Sequence, residues 1–310
     1  MKKVFIDGAA GTTGLRIYDR LQEREDLELI LLSDEARKDP DARKEALNAS
    51  DVAFLCLPDD AAREAVSMLE NPETVLIDTS TAHRTAPGWV YGFPEIGGRR
   101  EMIRKAKRIA NPGCHASGFI ALVAPLVEKG VLSPDARLSV FSLTGYSGGG
   151  KKMIAAYEGE NRDPLFDAPR LYGLTQKHKH LPELAPVAGL SHLPVFSPIV
   201  APYYAGMEVV VSLFSEDIAC GAADLAGLYK AYYGSGTGLV SFRENADEAG
   251  FLSAGAYSGR DDMEIAVFGN EGRILLASRF DNLGKGASGA AIQNMNLVLG
   301  VEETRGLILS

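Results

Sequence analysis

The residues with the clearest chemical potential are Asn111, Pro112, Gly113 and Cys114, which separate a short apolar run from a segment with helical periodicity. Pro112 and Gly113 favour a sharp turn, so Cys114 is predicted to enter the first turn of a helix. Unpaired N–H groups and the helix dipole stabilise negative charge there, which favours the nucleophilic thiolate. The same N–H groups can hold the oxyanion that forms when sulfur attacks a carbonyl. The alternative is a buried structural cysteine.

A histidine pair, His178 and His180, can supply proton transfer for such a nucleophile. Pro182 favours the first turn of a helix, so the pair lies in the segment before it. In extended backbone, residues two apart share a face, which would direct both imidazoles into one site near Glu183. A histidine beside Cys114 can act as general acid or base. The alternative is a pair of surface histidines, and too few ligands accompany the pair to predict a metal site.

Two glycine-rich turns predict sites for anionic groups. In the first, Gly8, Gly11 and Gly14 lie between a predicted strand and a predicted helix, where the backbone can approach a dinucleotide pyrophosphate. The second, residues 145–152, follows a predicted strand and ends in two lysines, which suggests an anion nest. The alternative for the first is an ordinary tight turn between strand and helix, and the alternative for the second is a flexible loop with solvated lysines.

The elements that must position these turns alternate between strand and helix in the first third of the chain. The predicted strands are Lys3–Asp7, Leu27–Leu32, Asp51–Leu57 and Thr74–Asp78, and the predicted helices include Lys38–Leu47 and Asp59–Leu69. This rhythm predicts a doubly wound parallel sheet. Pro58 and the Thr79–Thr81 stretch lie just past strand ends, the edge at which open α/β sheets bind ligands.

After Cys114 the pattern changes to longer strands, predicted at Arg137–Leu143, Gly206–Ser215, Asp262–Phe268 and Arg273–Ser278. Alternating apolar residues in them predict a mixed or antiparallel sheet that is covered on one face. A long helix is predicted over Gly284–Leu299 and is expected to return to the first domain. The predicted fold class is therefore α/β, with a Rossmann-like dinucleotide-binding domain (1–114, completed by 284–310) and an α+β catalytic and oligomerisation domain (115–283).

Composition limits the classes of function. The chain has 310 residues, 46% of them hydrophobic and 24% charged, which indicates a globular protein of two domains. A formal charge of −9 with no long basic run argues against nucleic-acid binding. No stretch approaches membrane-spanning length and no signal peptide is evident. Three widely spaced cysteines predict neither disulfides nor a metal site and suit a reduced, cytoplasmic enzyme.

The first glycine-rich turn, the Asn-Pro-Gly-Cys turn, the second glycine-rich turn and the histidine pair follow one another along the chain. The segment Asp281-Asn-Leu-Gly-Lys285-Gly-Ala-Ser288 comes after them. In this order the chain resembles the N-acetyl-gamma-glutamyl-phosphate reductases, in their shorter type 2 form, within the semialdehyde dehydrogenase superfamily. The resemblance extends from Val4 to Gly300 and is most specific in the Asn-Pro-Gly-Cys and Asp-Asn-Leu-Gly-Lys-Gly segments. It implies a homo-oligomer, dimer or tetramer, that uses NADPH to reduce N-acetyl-L-glutamyl 5-phosphate to the 5-semialdehyde in arginine biosynthesis.

The resemblance also implies roles for individual residues. Cys114 matches the family's nucleophile, and His178 its acid/base position, with His180 and Glu183 as companions, although two histidines this close cannot be told apart by sequence. Substrate contacts are implied for Asn111, Gly149 and Lys151. The implied cofactor contacts are Gly8, Ala10, Gly11, Thr12, Thr13, Gly14, Ser33, Arg37, Pro58, Ser80, Ser147, Gly148 and Asn282.

Some choices stay open at this level. Arg37 favours the 2′-phosphate of NADP, whereas Asp34 would suit the ribose of NAD. The longer type 1 enzymes have an arginine near residues 202–206 that this chain lacks, so Arg162, Arg170 and Lys177 are candidates for binding the substrate carboxylate. The competing functions are an aspartate- or aminoadipate-semialdehyde dehydrogenase and a non-catalytic dinucleotide sensor.

Overall fold

The computed structural model describes residues 1–309, and of Ala222 only its backbone place in a helix. The chain divides into two compact units. One comprises Met1–Pro94, Gly98–Pro112 and Ala287–Leu307, and the other comprises Glu95–Gly97, Gly113–Gly286 and the carboxyl-terminal residues from Ile308. Among the described residues, the helices are all too short or too polar to cross a bilayer.

The first unit is built on a six-stranded, fully parallel sheet. Its strands are β1 (Lys2–Asp7), β2 (Leu27–Ile30), β3 (Val52–Leu55), β4 (Val75–Asp78), β5 (Val90–Tyr91) and β6 (Arg108–Ala110), in the order β2-β1-β3-β4-β6-β5. The helices are α1 (Thr12–Leu21), α2 (Pro40–Ala49), α3 (Asp59–Ser67) and α4 (Arg99–Lys105). The parallel order confirms the predicted Rossmann-like sheet.

The last helix belongs to this first unit, as predicted. Helix α9 (Gly289–Leu299) places Ala291, Ile292 and Met295 in one apolar cluster with Val4, Phe54 and other strand residues. The predicted single helix over Gly284–Leu299 is wrong in its first turn, because Gly284–Ser288 forms a π-helical turn. A side chain at Gly284 would collide with the carbonyl oxygen of Arg260, so the tight path of this turn requires glycine.

The second unit contains a seven-stranded mixed sheet. Its strands are β7 (Ser139–Gly145), β8 (Arg170–Leu171), β9 (Val195–Ala201), β10 (Met207–Phe214), β11 (Val240–Phe242), β12 (Met263–Gly269) and β13 (Arg273–Phe280), in the order β11-β12-β13-β10-β7-β9-β8. The helices are α5 (Cys114–Glu128), α6 (Gly150–Glu158), α7 (Leu181–Ala188) and α8 (Ala222–Tyr233). Strands β7 and β9 are parallel, whereas β10 is antiparallel to both of its neighbours.

Helix α5 covers one face of this sheet. In β10 the residues Met207, Val209, Val211 and Leu213 are buried, as their predicted alternation requires. In β12 the alternation is lost, because Glu264 is buried as well and forms an ion pair of 2.8 Å with Arg279. A buried carboxylate is tolerated only where a partner compensates its lost hydration, and that pairing is not visible in the sequence.

The opposite face of the sheet is exposed and apolar. Phe141 of β7, Val195 of β9, Phe214 of β10 and Leu275 of β13 are 44–60% exposed. These residues alternate with buried ones on their strands, so they share the face that α5 does not cover.

Candidate active site

Cys114 is the first residue of α5, as predicted. Gly113 is the N-cap residue in extended conformation, and no side chain caps the helix. The first turn contains no acidic residue, so its N–H groups face no negative charge from their own helix. Because Cys114 is partly exposed whereas His115 beside it is buried, the sulfur is accessible at a point where anions are favoured.

The histidine pair lies beside this helix start. The imidazole rings of His178 and His180 are perpendicular with centroids 4.9 Å apart, and each lies 5.4 Å from the ring of His115. One nitrogen of His115, one nitrogen of His180 and the Cys114 sulfur all lie within 4.8 Å of one another. The structure therefore brings the predicted nucleophile and the predicted histidines together.

The backbone conformation that brings the two histidines together differs from the extended one that was predicted. His180 is not in extended conformation but in a turn, with φ −88° and ψ −14°, as the N-cap residue of α7. Its backbone N–H donates to Nδ1 of His178 over 3.2 Å. The local turn, rather than the alternation of a strand, orients the two rings.

His115, Ser142 and Tyr172 belong to the site although they were not predicted from the sequence, and the latter two contact the imidazole of His115. Nδ1 of His115 lies 2.6 Å from the hydroxyl oxygen of Ser142, and Nε2 lies 2.7 Å from the hydroxyl oxygen of Tyr172. Burial, and then the electrostatic influence of the neighbouring His178 and Lys179, holds the pKa of His115 well below its usual value. The signal in the sequence was that His115 directly follows the nucleophile.

Tyr172 also belongs to the surroundings of the sulfur. Burial, followed by the negative charge of Cys114, raises the pKa of the Tyr172 hydroxyl. The phenol is therefore a neutral hydrogen-bonding group at neutral pH, close enough to Cys114 to sense its charge.

Glu183 contacts the nucleophile's turn. Its carboxylate accepts a hydrogen bond of 3.1 Å from the backbone N–H of Gly113. Glu183 lies in the first turn of α7, next to the histidine segment, and is buried. This acid therefore joins two parts of the site that are distant in sequence.

The second glycine-rich loop is tied to Asn282. The side-chain amide of Asn282 donates to the hydroxyl of Ser147 over 3.0 Å, and its oxygen accepts from the N–H of Gly206 over 2.9 Å. Gly148 faces the same amide. Gly149 is the N-cap residue of α6, and Lys151 is exposed in the first turn of that helix.

The candidate carboxylate-binding residues differ in their surroundings. Arg162 is paired with Asp167, and Lys177 is exposed. Arg170 lies over the ring of Phe166 at 4.0 Å, and its buried Nε has no hydrogen-bond partner among the described residues.

A cavity of about 430 Å³ in the first unit is lined by the first glycine-rich turn, the end of β2 and the end of β3. Gly8 has a φ of +85°, and a side chain there would collide with the carbonyl of Cys56. The N-terminus of α1 has no side-chain cap and no acid in its first turn. Arg37 and Lys38 supply positive charge to the cavity, whereas Arg43 is paired with Asp7 of the same lining over 2.9 Å, and this arrangement fits a dinucleotide with phosphate groups.

Other predicted ligands of the first unit have local partners. Arg37 forms an exposed ion pair of 3.3 Å with Asp34. Ser80 donates to the Asp78 carboxylate over 2.8 Å. The amide of Asn111 is buried and donates to the carbonyl of Ala287 over 2.9 Å. The remaining predicted cofactor residues lie at the ends of elements. Ala10, Thr12 and Thr13 are at the start of α1, Ser33 follows β2, and Pro58 precedes α3.

Comparison with known proteins finds two matching family models. Residues 3–106 match the NAD binding domain of semialdehyde dehydrogenase, and residues 114–282 match its dimerisation domain. A protein from Nostoc sp. named N-acetyl-gamma-glutamyl-phosphate reductase 2 is 44% identical over 98% of this chain and 99% of its own. The N-acetyl-gamma-glutamyl-phosphate reductase of Brucella ovis is 47% identical over 96% of this chain and 99% of its own.

Solved structures share the fold at lower identity. Aspartate semialdehyde dehydrogenase II of Vibrio cholerae, complexed with ASA, has a TM-score of 0.74 and 18% identity, and the match covers 97% of this chain and 98% of that one. The aspartate semialdehyde dehydrogenase of Candida albicans, solved with NADP, has a TM-score of 0.68 and 16% identity over 97% of this chain and 99% of that one.

Proposed function

The chain belongs to the N-acetyl-gamma-glutamyl-phosphate reductases of the semialdehyde dehydrogenase family, and we propose that it reduces N-acetyl-L-glutamyl 5-phosphate to the 5-semialdehyde and releases phosphate. The resemblance predicted from the motifs is confirmed by relatives that share 43–47% of their residues with this chain. The aspartate enzymes share its fold at no more than 18% identity among those compared, so they do not favour the competing substrate. The activity belongs to arginine biosynthesis.

The observation on which the reaction rests is the position of Cys114 at the start of α5, within 4.8 Å of an imidazole nitrogen of His180. The sulfur attacks the acyl carbon, the C–O bond to phosphate breaks, and a thioester forms on Cys114. The N–H groups of the first turn of α5 stabilise the oxyanion of this step. Covalent catalysis divides a difficult reduction into two easier steps.

We assign the proton transfer to His180 and a supporting position to His178, the reverse of the preference that the resemblance implied. The reason is that an imidazole nitrogen of His180 lies within 4.8 Å of the sulfur, and that the other imidazole this close, His115, already has Ser142 and Tyr172 as partners of its two nitrogens. Nδ1 of His178 already accepts the backbone N–H of His180, which fixes the turn. His180 then takes the thiol proton and later protonates the sulfur when the tetrahedral adduct on Cys114 collapses to the aldehyde.

NADP is the cofactor, and NADPH supplies the hydride when it is bound. The residues that would hold it are the backbone of Gly8 to Gly14 for the pyrophosphate and Arg37 for the 2′-phosphate. Ser147, Gly148 and Asn282 in the second unit are proposed as further contacts. Their mutual hydrogen bonds keep that loop in one conformation.

The substrate contacts are proposals as well. Arg170 is the candidate for the carboxylate, because its guanidinium is held in place over the ring of Phe166 and donates to the Tyr157 hydroxyl over 3.2 Å. Asn111, Gly149 and Lys151 stay predictions for the remaining polar groups of the substrate. Cytoplasmic location stays a prediction too.

We propose further that two copies of the chain associate through the exposed sheet face of Phe141, Val195, Phe214 and Leu275. The matching family model describes residues 114–282 as a dimerisation domain, and large exposed apolar faces mark interaction surfaces. Sedimentation analysis of Phe141→Asp against the wild type would test this, with a shift toward monomer expected.

Mass spectrometry tests the central proposal. Incubation with N-acetylglutamyl phosphate and no NADPH should add one N-acetylglutamyl group to the peptide that contains Cys114. Cys56 should stay unmodified, because burial raises the pKa of its thiol to about 12. Cys114→Ser should lose the adduct and turnover while it still binds NADPH. An adduct on another residue, or turnover near the wild-type rate in Cys114→Ser, would overturn the proposal.

A further inference from the structure

The cluster around Cys114 contains a set of donor atoms with a second chemical capacity. The Cys114 sulfur, one nitrogen of His115 and one nitrogen of His180 lie within 4.8 Å of one another. One thiolate and two imidazoles are donors that zinc prefers. In tetrahedral coordination with bonds of about 2.0–2.3 Å, neighbouring ligand atoms are roughly 3.5 Å apart. Small side-chain rotations would therefore close these three atoms around one ion.

His115 is oriented in the manner of a metal ligand. Its Nδ1 lies 2.6 Å from the Ser142 hydroxyl, and its Nε2 lies 2.7 Å from the Tyr172 hydroxyl. When the Ser142 oxygen accepts the Nδ1 proton, the Nε2 lone pair faces Tyr172 and is available to a cation in place of the tyrosine hydroxyl. Metal-binding histidines typically have such a second partner, which fixes the ring and its tautomer.

The surroundings select the kind of cation. His115 and His180 are 3% and 5% exposed, and Cys114 is partly exposed, so an ion can enter from the side of the sulfur. Mg²⁺ and Ca²⁺ require oxygen ligands, and these three side chains offer none. Zinc sites with three protein ligands hold water in the fourth position.

We propose that Cys114, His115 and His180 form a zinc-binding site, and that Zn²⁺ bound there inhibits the enzyme reversibly. Zn²⁺ replaces the thiol proton, which passes to the solvent, and no oxidation state changes. Metal binding does not depend on the reaction that the enzyme catalyses, whereas the inhibitory effect rests on the proposed function, because it requires the sulfur to be the nucleophile.

Cobalt spectroscopy tests the site without any assay of activity. The reduced, chelator-treated full-length protein is titrated with Co²⁺, and a sulfur-to-cobalt charge-transfer band that saturates at one equivalent is expected. Cys114→Ser should lose the band. His115→Asn and His180→Asn should bind at least about tenfold more weakly, and Ser142→Ala about 10- to 100-fold more weakly. His192→Asn and Cys220→Ser are matched controls outside the cluster and should bind like the wild type.

A measurement on the wild type alone guards against misfolded variants. Zn²⁺ should slow alkylation of Cys114, but not of Cys220, when the two peptides are followed by mass spectrometry. A missing charge-transfer band, a band that persists in Cys114→Ser, or unchanged alkylation of Cys114 would overturn the zinc site.

The inhibitory part has its own outcome. Micromolar Zn²⁺ should stop acyl-phosphate reduction, EDTA should restore it, and Mg²⁺ should have no effect. Cobalt binding at Cys114 with undiminished reduction in Zn²⁺ would overturn inhibition alone. Cobalt binding in a protein that reduces no acyl phosphate even without Zn²⁺ would instead refute the proposed function and leave the metal site in place.

Discussion

The backbone N–H of Gly113 donates to the carboxylate of Glu183, with 3.1 Å between N and Oε2. Gly113 is the residue before the proposed nucleophile, and Glu183 follows the histidine pair by three residues. Both are buried, so water cannot replace the acceptor if the carboxylate is removed. This hydrogen bond therefore fixes the position of the Cys114 turn relative to the turn of His180.

Substitution of Glu183 should separate hydrogen bonding from charge. Glu183→Ala leaves the Gly113 N–H unsatisfied and should lower the free energy of unfolding by about 1–3 kcal/mol. Glu183→Gln retains an oxygen acceptor and should lose less. Urea unfolding of the three proteins measures the difference. Equal stability of the Ala and Gln variants would show that the hydrogen bond contributes nothing.

The strand and helix order of the first unit could be predicted from sequence because each element has its own periodicity and glycine or proline boundaries. The start of α5 at Cys114 was predictable for the same reason, since Pro112 and Gly113 force a turn. Strand β9 was not predicted, and it contains Pro198, a residue that usually argues against a paired strand.

The environment of His115 was not predictable. Ser142 and Tyr172 are 27 and 57 residues away in sequence, and only the packing of β7 and the segment after β8 against α5 brings them to the imidazole. Periodicity reports which face of an element is buried, but not which polar groups from distant elements meet there. The turn over residues 178–180 was not predictable either, because the hydrogen bond in it joins the His178 side chain to the backbone of His180 and leaves no periodic pattern in the sequence.

The two histidines should differ in their effect on turnover. If His180 transfers the proton, His180→Asn should lower kcat by about a hundred- to ten-thousandfold. His178→Asn should cost less, because an Asn oxygen can still accept the backbone N–H of residue 180. The kcat values and their pH profiles should be measured for both variants. The larger loss in His178→Asn would reverse the assignment.

Arg170 should affect substrate binding more than chemistry. Arg170→Ala removes the candidate partner of the substrate carboxylate and should raise KM for the acyl phosphate by about tenfold or more, which corresponds to about 1.4 kcal/mol. Arg162→Ala serves as the control, because Arg162 is exposed and already paired with Asp167. A KM that is equally affected in both variants would argue against a specific role for Arg170.

Arg37 should set the preference between the two nicotinamide cofactors. Arg37→Ala should lower kcat/KM with NADPH by about tenfold, and it should leave the value with NADH nearly unchanged, since NADH lacks the 2′-phosphate. Asp34→Asn frees Arg37 from its ion pair and should not weaken the binding of NADPH. Arg104→Ala, an exposed arginine of α4, is the control. A parallel loss with both cofactors in Arg37→Ala would place the 2′-phosphate elsewhere.

Glu208 should make the second unit less stable as the pH rises. Burial raises the pKa of its carboxyl to about 7, although Arg279 lies opposite it in the sheet and opposes this shift. Arg279 is already paired with Glu264 and Glu248, so it compensates Glu208 only in part. The folded protein therefore holds the Glu208 proton over a range in which the unfolded chain, with an ordinary pKa near 4.5, has released it.

This difference in bound protons determines whether stability rises or falls with pH. The contribution of Glu208 to stability falls as the pH rises from about 4.5 to 7, and above that range ionisation costs about 3 kcal/mol. Glu208→Gln should therefore raise the free energy of unfolding at pH 8 and change it little at pH 4.5. Urea unfolding at both pH values measures this, with Glu216→Gln, an exposed residue, as the control. An equal effect of Glu208→Gln at both pH values would show that the carboxyl ionises normally in the folded protein.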